Sequence, residues 1–381
     1  MSILDRHKKD GKDKGMVYLV EGAYIAAESF REEGMKVPFY GKIRWQDQKQ
    51  PSKNAPKYVR RLPPPLRCLL GLIDGLKTAK ELAGYRVAVL AACKLESERE
   101  ELSFKDPSRV SPSDGFVFTH NGANFAIAGY LGLSFYRGIG LDHVCSSGID
   151  LLGMAYGMIS RKEVDAAVVA TVNSMADSVR VVYHKNLGVL SKSGVIRPFD
   201  ERRDGTVFAD SAAVAVVASE RVVEDVGVTP LARIEGYSFV ADTYHMFSIR
   251  ESGEGFERVA TEAAGGKTPR VIKAHATGTR VNDAAEARAY SRAFGKEPVV
   301  TALKPIFGHS VTSCGLTESL HLLEALREGR IPKIENLERP DASCEGITLA
   351  LEELPFSGGY VLSVAAGFGG FYSAILFCVE G

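Results

Sequence analysis

From residue 142 the chain reads Asp142-His143-Val144-Cys145-Ser146-Ser147-Gly148-Ile149-Asp150-Leu151-Leu152, with one cysteine among small residues at the start of an apolar segment. Apolar residues then cover every face of the turns up to Ile159, which predicts a buried helix. The first amides of a helix lack intrahelical partners and carry the positive end of its dipole, so a thiol there is stabilised as thiolate. We therefore predict that Cys145 is a nucleophile on a rigid helix. An inert, buried thiol is the alternative that these residues alone leave open.

The composition is that of a globular protein with no overall charge. The 381 residues are 45% hydrophobic, enough for a large core, and the 47 basic residues equal the 47 acidic ones in number. A net charge of zero does not favour a nucleic-acid or membrane-surface partner. Residues 1–15 are charged and lack the apolar run of a signal peptide, so we expect a frayed tail there. No later segment is an uninterrupted apolar run of membrane length.

The cysteines show neither a C-x-x-C pair nor a regular framework. This usage fits reduced thiols in the cytoplasm better than disulfides or a zinc site. We predict no structural disulfide, no metal site and a cytoplasmic location. The six cysteines stand at positions 68, 93, 145, 314, 344 and 378.

Strand and helix patterns alternate along the first half of the chain, which predicts an α/β sheet. A nucleophile between a strand and a helix is a usual arrangement in that architecture. The run over 94–114 is polar, so we expect a surface excursion there. The predicted segments are strands within 16–27, 85–92, 139–144 and 163–172, and helices over 121–133 and from Gly148.

The second half contains two similar junctions. His275 stands at the end of a predicted strand over 269–276, where α/β sheets place their ligands. His309 closes a junction over 301–309 that leads into an apolar helix. Because this helix loosely echoes the one after Cys145, we predict two related halves, 1–230 and 231–381. The chain closes with two predicted strands around the turn Gly367-Phe368-Gly369-Gly370.

Taken together, these motifs resemble the β-ketoacyl synthases of the condensing-enzyme, thiolase-like superfamily, from about residue 85 to the C-terminus. The resemblance implies an α/β fold of the thiolase-like type, with five layers αβαβα and two related halves. A cysteine with two histidines resembles the elongating class, whereas the initiating class replaces one histidine with asparagine. The motifs are Val144-Cys145-Ser146-Ser147-Gly148, Arg197-Pro198-Phe199-Asp200, Arg203-Asp204-Gly205, Ala274-His275-Ala276-Thr277-Gly278-Thr279, Asn282-Asp283, Lys304, Gly308-His309 and Gly367-Phe368-Gly369-Gly370.

The resemblance also implies a reaction that needs no cofactor. Cys145 would take an acyl group from a carrier thioester, because a thiolate is a good nucleophile and thioester exchange is nearly isoenergetic. His275 and His309, as neutral hydrogen-bond donors, would stabilise the enolate that forms when a bound malonyl group loses carbon dioxide. The backbone amides of Cys145 and Phe368 would hold the oxyanion of the condensation step.

Further residues receive roles from the same resemblance. Lys304 is expected near the histidines and paired with Glu318 on the following helix, where its charge disfavours imidazolium. Phe368 is expected to gate the acyl pocket, with simple core packing as the alternative. The residues expected to bind substrate are Thr277, Thr279, Glu318 and Gly369.

A group of arginines precedes the first apolar helix. The sequence has no carrier-type attachment site, so the resemblance implies an acyl carrier protein acting in trans, and such carriers are generally acidic. We predict that Arg60, Arg61 and Arg67 dock this carrier, with a solvated helix start as the alternative. The resemblance also implies a homodimer, or a heterodimer with a related synthase subunit.

Three departures from the family pattern leave the acyl group open. The turn after Arg203-Asp204-Gly205 reads Phe208-Ala209-Asp210-Ser211-Ala212, Ala276 replaces a usual glycine, and Phe371-Tyr372 replace a usual Thr-Asn. One alternative hypothesis is therefore a non-catalytic, chain-length-factor-like subunit that shapes the pocket of another ketosynthase. A second alternative is acyl transfer or hydrolysis through Cys145 without condensation.

Overall fold

A computed structural model describes residues 15–27, 39–95, 119–175 and 179–381 of the chain. The expected frayed tail before residue 15 and the expected excursion beyond residue 95 lie outside the described residues. Lys94 itself corrects that expectation, because it ends a strand, is only 5% exposed and bonds Asp142 at 2.6 Å. Because the Asp142 carboxylate compensates its charge, Lys94 can be buried, and its polarity does not indicate a surface position.

The first half contributes five strands to the sheet. They are β1 (Val17–Ala26), β2 (Val87–Lys94), β3 (Arg137–Gly140), β4 (Ala166–Asn173) and β5 (Ser211–Ser219). Their spatial order is β3-β2-β4-β5-β1. The pairs β3–β2 and β2–β4 are parallel, whereas β4–β5 and β5–β1 are antiparallel.

The second half repeats this order. Its strands are β6 (Ala232–Ala241), β7 (Val271–Lys273), β8 (Val299–Thr301), β9 (Arg330–Ile331), β10 (Thr348–Leu349), β11 (Leu354–Pro355), β12 (Gly359–Gly367) and β13 (Phe371–Val379). The five main strands run β8-β7-β12-β13-β6, with the same two parallel and two antiparallel pairs. The small strand β10 extends the edge beside β8, and β9 pairs with β11. The predicted pair of related halves is therefore confirmed by topology.

A short antiparallel ladder joins the two halves. Val17 of β1 pairs with Ile234 of β6, and Leu19 pairs with Ala232, so the halves form one continuous sheet of 11 strands. The second copy of the strand order begins with β6 at Ala232. The division into 1–230 and 231–381 stays a prediction, with which this starting point agrees.

The helices form the other layers. Their bounds are α1 (Pro64–Ile73), α2 (Lys77–Lys80), α3 (His120–Tyr130), α4 (Ser147–Ser160), α5 (Val179–Asn186), α6 (Glu220–Val226), α7 (Glu254–Ala264), α8 (Arg280–Phe294), α9 (Lys304–Phe307) and α10 (Val311–Arg327). Helix α4 packs against α10, and both contact strands of the two halves. Among the described residues, no helix has both the length and the apolar character needed to cross a membrane.

Alternation along the strands explains the five layers. In β2, Ala88, Leu90 and Ala92 share one apolar cluster with α4 and α10, whereas their neighbours Val87, Val89 and Ala91 pack with α1 and α3. In β12 one set of side chains faces the same central helices, and the other set packs with α7 and α8. Because successive side chains of a strand point to opposite faces, each half-sheet is buried on both sides. The thiolase-like αβαβα prediction is confirmed.

Two glycines let the central helices approach closely. A Cβ atom at Gly148 of α4 would lie 2.5 Å from the backbone nitrogen of Leu316, and one at Gly315 of α10 would lie 3.0 Å from the backbone nitrogen of Ile149. Larger residues would push the helix starts apart. Since Cys145 immediately precedes α4, this contact brings the nucleophile of the first half beside the second half.

Candidate active site

Cys145 lies in a tight turn between strand and helix. A 3-10 turn over Val144–Ser146 runs directly into α4. Val144 has a φ of 52°, a left-handed conformation that is rare for a β-branched residue and costs about 1–3 kcal/mol. The backbone nitrogen of Val144 donates to Asp142 Oδ1 at 3.1 Å, and its carbonyl accepts from Ser147 Oγ at 2.8 Å. These bonds hold the strained turn that presents the thiol.

The environment of the Cys145 sulfur differs from the expectation. Burial, followed by the neighbouring Cys314 thiol, raises the pKa of Cys145 well above its ordinary value, despite the opposing effects of Lys304 and Lys94. The side chain is 8% exposed. Burial of Cys145 therefore disfavours the thiolate that the helix start was expected to stabilise.

Two loops bring the predicted histidines together. His275 follows β7, and its backbone nitrogen donates to Glu286 Oε1 of α8 at 2.7 Å. Glu286 also accepts from the backbone nitrogen of Ala276, which holds that residue at a φ of 36° in place of the usual glycine. His309 follows α9, and its backbone nitrogen donates to the Val207 carbonyl at 2.7 Å. The two imidazole centroids are 5.5 Å apart and nearly perpendicular.

Both imidazoles are held neutral. Burial and then the Lys304 ammonium lower the pKa of His275 and the pKa of His309 well below the ordinary value. Within the described part of the chain, neither Nδ1 atom has a hydrogen-bond partner. A neutral imidazole can still donate one hydrogen bond. The pair can therefore act as uncharged donors, as the motif predicted.

The depressed pKa values of His275 and His309 predict that the folded protein becomes less stable as the pH decreases. Below pH 6.5, a histidine that stays neutral in the folded protein binds fewer protons than it does in the unfolded chain. Each such histidine should therefore lower the free energy of unfolding by about 2 kcal/mol when the pH falls from 7 to 5. Urea denaturation of the wild type and of a His275→Gln/His309→Gln variant at both pH values measures this loss. The wild type should lose more stability than the variant.

A comparison with the variant isolates the histidines from other buried groups. Burial raises the pKa of Asp210 and the pKa of Asp283 to about 7, which stabilises the fold at lower pH and so acts in the opposite direction. Both carboxyl groups are present in wild type and variant. An equal loss of stability in the two proteins would contradict neutral histidines in the folded state.

A buried ion-pair group lies beneath the histidines. Lys304 Nζ bonds Glu318 Oε1 at 2.9 Å, as predicted, and Lys273 Nζ bonds Glu318 Oε2 at 2.9 Å. All three side chains are at most 1% exposed. Burial is the largest single influence on the pKa of Lys304 and lowers it, but Glu318, Cys314 and Glu286 together outweigh burial, so the pKa is raised. Two ammonium groups on one carboxylate leave a local positive charge that opposes protonation of the histidines.

The sequence interpretation missed Lys273. Its signal was a lysine inside an otherwise apolar strand, Arg270-Val271-Ile272-Lys273-Ala274. A buried lysine is rare without a partner, so this position called for an acidic neighbour. Glu318 stands 45 residues further on, and only the fold shows that it serves both lysines.

One cavity of about 270 Å³ connects the predicted groups. Its wall is mostly apolar with scattered polar side chains. The residues lining it are Cys145, His184, Gly188, Val189, Thr206, Phe208, Phe247, Ser248, Ile249, His275, Thr277, Thr279, Arg280, Val281, Asn282, His309, Ala366, Gly367 and Phe368. The nucleophile, both histidines and the Phe368 turn thus open into the same space.

The predicted substrate-binding residues divide into two groups. Thr277 and Thr279 line the cavity, with their hydroxyl oxygens 3.0 Å apart. Glu318 does not line it, because both of its carboxylate oxygens are bonded to buried lysines. Gly369 is also not among the lining residues, and its backbone nitrogen donates to the Met246 carbonyl at 2.8 Å. We therefore assign Glu318 and Gly369 to positioning rather than to direct substrate contact.

Aromatic rings form one side of the cavity and include an unpredicted histidine. His184 of α5 stacks on Phe368 with centroids 5.6 Å apart, and Phe208 packs edge-on against it at 4.6 Å. Phe208 in turn lies 5.4 Å from His309, and Phe247 packs edge-on against Phe368 at 5.6 Å. The polar stretch around His184 carried no sequence signal for a cavity residue. The position of Phe368 in this wall agrees with a gate of the pocket.

The predicted docking arginines lie away from the cavity wall. Arg60 and Arg61 are exposed at the end of a 3-10 turn over Lys57–Arg61. Arg67 on α1 is partly buried, and its guanidinium donates to Gln50 Oε1 at 3.3 Å and to the Leu62 carbonyl at 3.4 Å. Arg60 and Arg61 are thus presented to solvent, whereas Arg67 is engaged within the protein.

No cluster of histidine, cysteine, aspartate or glutamate suited to hold a metal ion is present among the residues that the structure covers. All six cysteines, which fall within the described ranges, are free thiols.

Comparison with known sequences adds independent findings. The family model described as "Beta-ketoacyl synthase, N-terminal domain" matches residues 72–222, and the model described as "Beta-ketoacyl synthase, C-terminal domain" matches residues 231–338. The protein named 3-oxoacyl-(acyl-carrier-protein) synthase 2 from Mycobacterium tuberculosis is 32% identical over 293 residues, which cover 73% of this chain and 69% of that protein.

Solved structures share the fold. A β-ketoacyl synthase from Burkholderia phymatum has a TM-score of 0.83 at 21% identity, covering 96% of this chain and 100% of the other. A structure described as a type II PKS acyl-carrier protein in complex with its ketosynthase bound to the hexaketide has a TM-score of 0.81 at 20% identity, covering 96% and 99%.

Proposed function

Because this chain belongs to the β-ketoacyl synthase family, we propose that it catalyses decarboxylative condensation of a malonyl-type carrier thioester with an acyl group held on Cys145. The setting is fatty acid, polyketide or related specialised biosynthesis. The observation that supports this proposal best is the single cavity into which Cys145, His275 and His309 all open. A nucleophile and two neutral donors are what the two half-reactions need.

The first half-reaction loads the enzyme. The Cys145 sulfur attacks the carbonyl carbon of an acyl-carrier thioester while its thiol loses a proton. The bond to the carrier sulfur breaks, and the departing carrier thiolate takes up a proton. Acyl-Cys145 and a free carrier thiol result, so charge and atoms balance. Because burial raises the pKa of Cys145, loss of this proton during the attack is favoured over its loss beforehand.

The second half-reaction forms the nucleophilic carbon. As the malonyl carboxylate leaves as carbon dioxide, its bonding pair generates an enolate with negative charge on the thioester oxygen. His275 and His309 are suited to donate hydrogen bonds to that oxygen, and the positive charge of the Lys273-Glu318-Lys304 group favours the developing anion. Donors fixed before the reaction cost no reorganisation when the charge appears.

The last step joins the two chains. The enolate carbon attacks the carbonyl carbon of acyl-Cys145, and we assign the backbone amides of Cys145 and Phe368 to stabilise the resulting oxyanion. The turn carrying Phe368 is close enough, since a Cβ at Gly367 would lie 3.2 Å from the Cys145 nitrogen. Collapse expels the Cys145 sulfur, which regains a proton, and releases a 3-ketoacyl thioester.

Intact-protein mass spectrometry tests the proposal. Incubation with acyl carrier thioester should add one acyl mass to the protein, and addition of malonyl carrier should release carbon dioxide and a 3-ketoacyl product. A protein that never gains an acyl mass would refute the proposal. Free acid, or transferred acyl groups without added carbons, would indicate hydrolysis or acyl transfer instead.

The alternative of a non-catalytic partner subunit is not favoured. Such a subunit needs no nucleophile, yet Cys145 is kept in a strained turn that only stabilising contacts maintain. The altered turn over 209–212 and the Phe371-Tyr372 pair, which motivated the alternative, leave the cavity open. Product formation by the purified protein alone would exclude this alternative.

Carrier docking predicts a separable effect on substrate binding. Reversing charge in an Arg60→Glu/Arg61→Glu variant should raise the Michaelis constant for acyl carrier substrate about 10-fold, because two exposed cations no longer attract an acidic partner. Reaction with a small acyl thioester should stay unchanged. Steady-state kinetics with both substrates provides the measurement, and an equal loss with both would count against docking.

The cellular setting is part of the same proposal. A cytoplasmic location is supported by the free state of all six cysteines. A dimer, with itself or with a related subunit, is supported by the short edge strand β3 and by Phe135, which is 93% exposed beside it.

A further inference from the structure

The imidazole of His143, two residues before Cys145, stacks against a pair of phenyl rings. Phe239 of β6 lies with its centroid 4.8 Å from the imidazole centroid and its plane within 13° of parallel. Phe371 of β13 stacks at 4.7 Å and 12°, and because the two phenyl centroids are only 6.0 Å apart, both rings lie on the same side of the imidazole. Both rings come from the second half, whereas His143 belongs to the first. Phe371 is also one of the departures from the family pattern. Its contact with His143 gives this departure a structural role.

Asp150 fixes the same imidazole from the side. His143 Nδ1 lies 2.9 Å from Asp150 Oδ2, which also accepts from Ser146 Oγ at 2.8 Å. Asp150 Oδ1 accepts from Tyr237 of β6 at 2.9 Å and from the hydroxyl of Ser373 of β13. The carboxylate is 1% exposed. All four donors surround one buried charge, which satisfies its hydrogen-bonding capacity.

These contacts connect the turn that carries Cys145 with the turn that carries Phe368. The proposed reaction needs these two turns in a fixed relative position. His143 and Ser146 flank Cys145, while Phe371 and Ser373 follow directly on the turn that carries Phe368. A Cβ at Gly367 would lie 2.8 Å from the His143 carbonyl, so the turns already touch. The strained φ of Val144 needs such surrounding contacts to persist.

We infer that His143 and Asp150 are positioning residues that clamp the nucleophile turn onto strands β6 and β13 and so set the Cys145 amide and thiol against the Phe368 amide. This inference rests on the proposed function. Neither residue lines the cavity, so we assign neither a direct contact with substrate. The clamp acts on steps that pass through an oxyanion at Cys145. Malonyl decarboxylation, which uses His275 and His309, does not depend on it.

The experiment compares two partial reactions in the full-length protein. In His143→Ala and in Asp150→Asn, acyl transfer from acyl carrier to Cys145 should slow about 10–100-fold, since small misplacements of reacting groups cost that much. Malonyl decarboxylation should stay within about twofold of wild type. The double variant should lose no more than the worse single variant, because both remove one unit.

Conservative variants separate the contributions of the clamp. His143→Asn keeps a donor near Asp150 and should recover part of the acylation rate, whereas His143→Phe keeps a ring stacked on Phe239 and Phe371 without the hydrogen bond. The matched control is His321→Ala, another imidazole among aromatic rings, bonded to Tyr24 at 2.8 Å on the far part of α10. It should leave both partial reactions within about twofold.

Three results would overturn the inference. Acylation of the His143 and Asp150 variants at the wild-type rate would show that the clamp has no effect. A matching fall in acylation and decarboxylation would indicate general destabilisation instead. Equal rates for His143→Asn and His143→Phe, both as slow as His143→Ala, would refute the hydrogen bond to Asp150 as a positioning element. Wild-type protein that cannot be acylated would instead refute the proposed function, so the two failures are distinguishable.

Discussion

Replacement of Cys145 by alanine is expected to abolish condensation while malonyl decarboxylation continues. Cys145 is the one thiol among the described residues that line the cavity, so the loss should reach at least about 10⁴-fold, as for nucleophiles in other covalent mechanisms. The donors His275 and His309 are untouched by the change. Carbon dioxide release without ketoacyl product is therefore the expected signature.

Mass spectrometry and product analysis check this result together. The Cys145→Ala protein should gain no acyl mass, whereas Cys68→Ala, which alters another buried thiol in the outer helix α1, should be acylated like wild type. An acyl adduct that persists in Cys145→Ala would place the acyl group on another residue and contradict the assignment.

Variants of the two histidines test the other half of this assignment, in which decarboxylation is lost and acylation is kept. His275→Ala and His309→Ala should each keep the acyl adduct on Cys145 and lower decarboxylation about 10²–10³-fold, the usual cost of losing one preorganised donor. If either variant instead lost acylation and kept decarboxylation, the division of labour between the cysteine and the histidines would be wrong.

Replacement of Glu318 by alanine is expected to destabilise the fold by about 3–5 kcal/mol. The variant leaves Lys273 and Lys304 buried, adjacent and without their counter-charge, and uncompensated buried charges are costly. Removing all three charges together, in Lys273→Met/Glu318→Gln/Lys304→Met, should recover much of the lost stability, because apolar side chains tolerate burial.

Urea denaturation at neutral pH measures the effect. The matched control is Glu328→Ala, which removes a surface pair with Arg330 at 2.8 Å and should cost no more than about 1 kcal/mol. A Glu318→Ala protein as stable as the control would show that the lysines lose their charge or reach solvent, and that Glu318 is not their essential partner.

Much of the fold and site follows from local sequence patterns. The nucleophile before an apolar helix, the histidines at strand ends and the glycine turn at Phe368 each carry a signal within a few residues. The Lys304–Glu318 pair was expected through the family resemblance, which places Glu318 on the helix that follows. Strand alternation was obscured, because strands buried on both faces read as continuous apolar runs.

Other features depend on contacts between distant segments. The pKa of Cys145 is set by burial, which the helix-terminus interpretation did not weigh. Lys273, His184 and the stacking of His143 on two phenyl rings depend on residues that the chain brings together only after both halves have folded. Lys94 was misassigned for the same reason, because its compensating partner Asp142 lies 48 residues away.

The crossing of α4 and α10 at Gly148 and Gly315 also limits how this protein can change shape. Because the two backbones are in direct contact, the helices resist relative motion at this crossing, and the catalytic groups near it are held in one rigid frame. New substrate preferences can therefore arise by exchanging rim side chains such as Phe247 or Ile249, without altering the frame. Engineering can therefore change substrate selectivity through side chains of the pocket and leave the catalytic groups as they are.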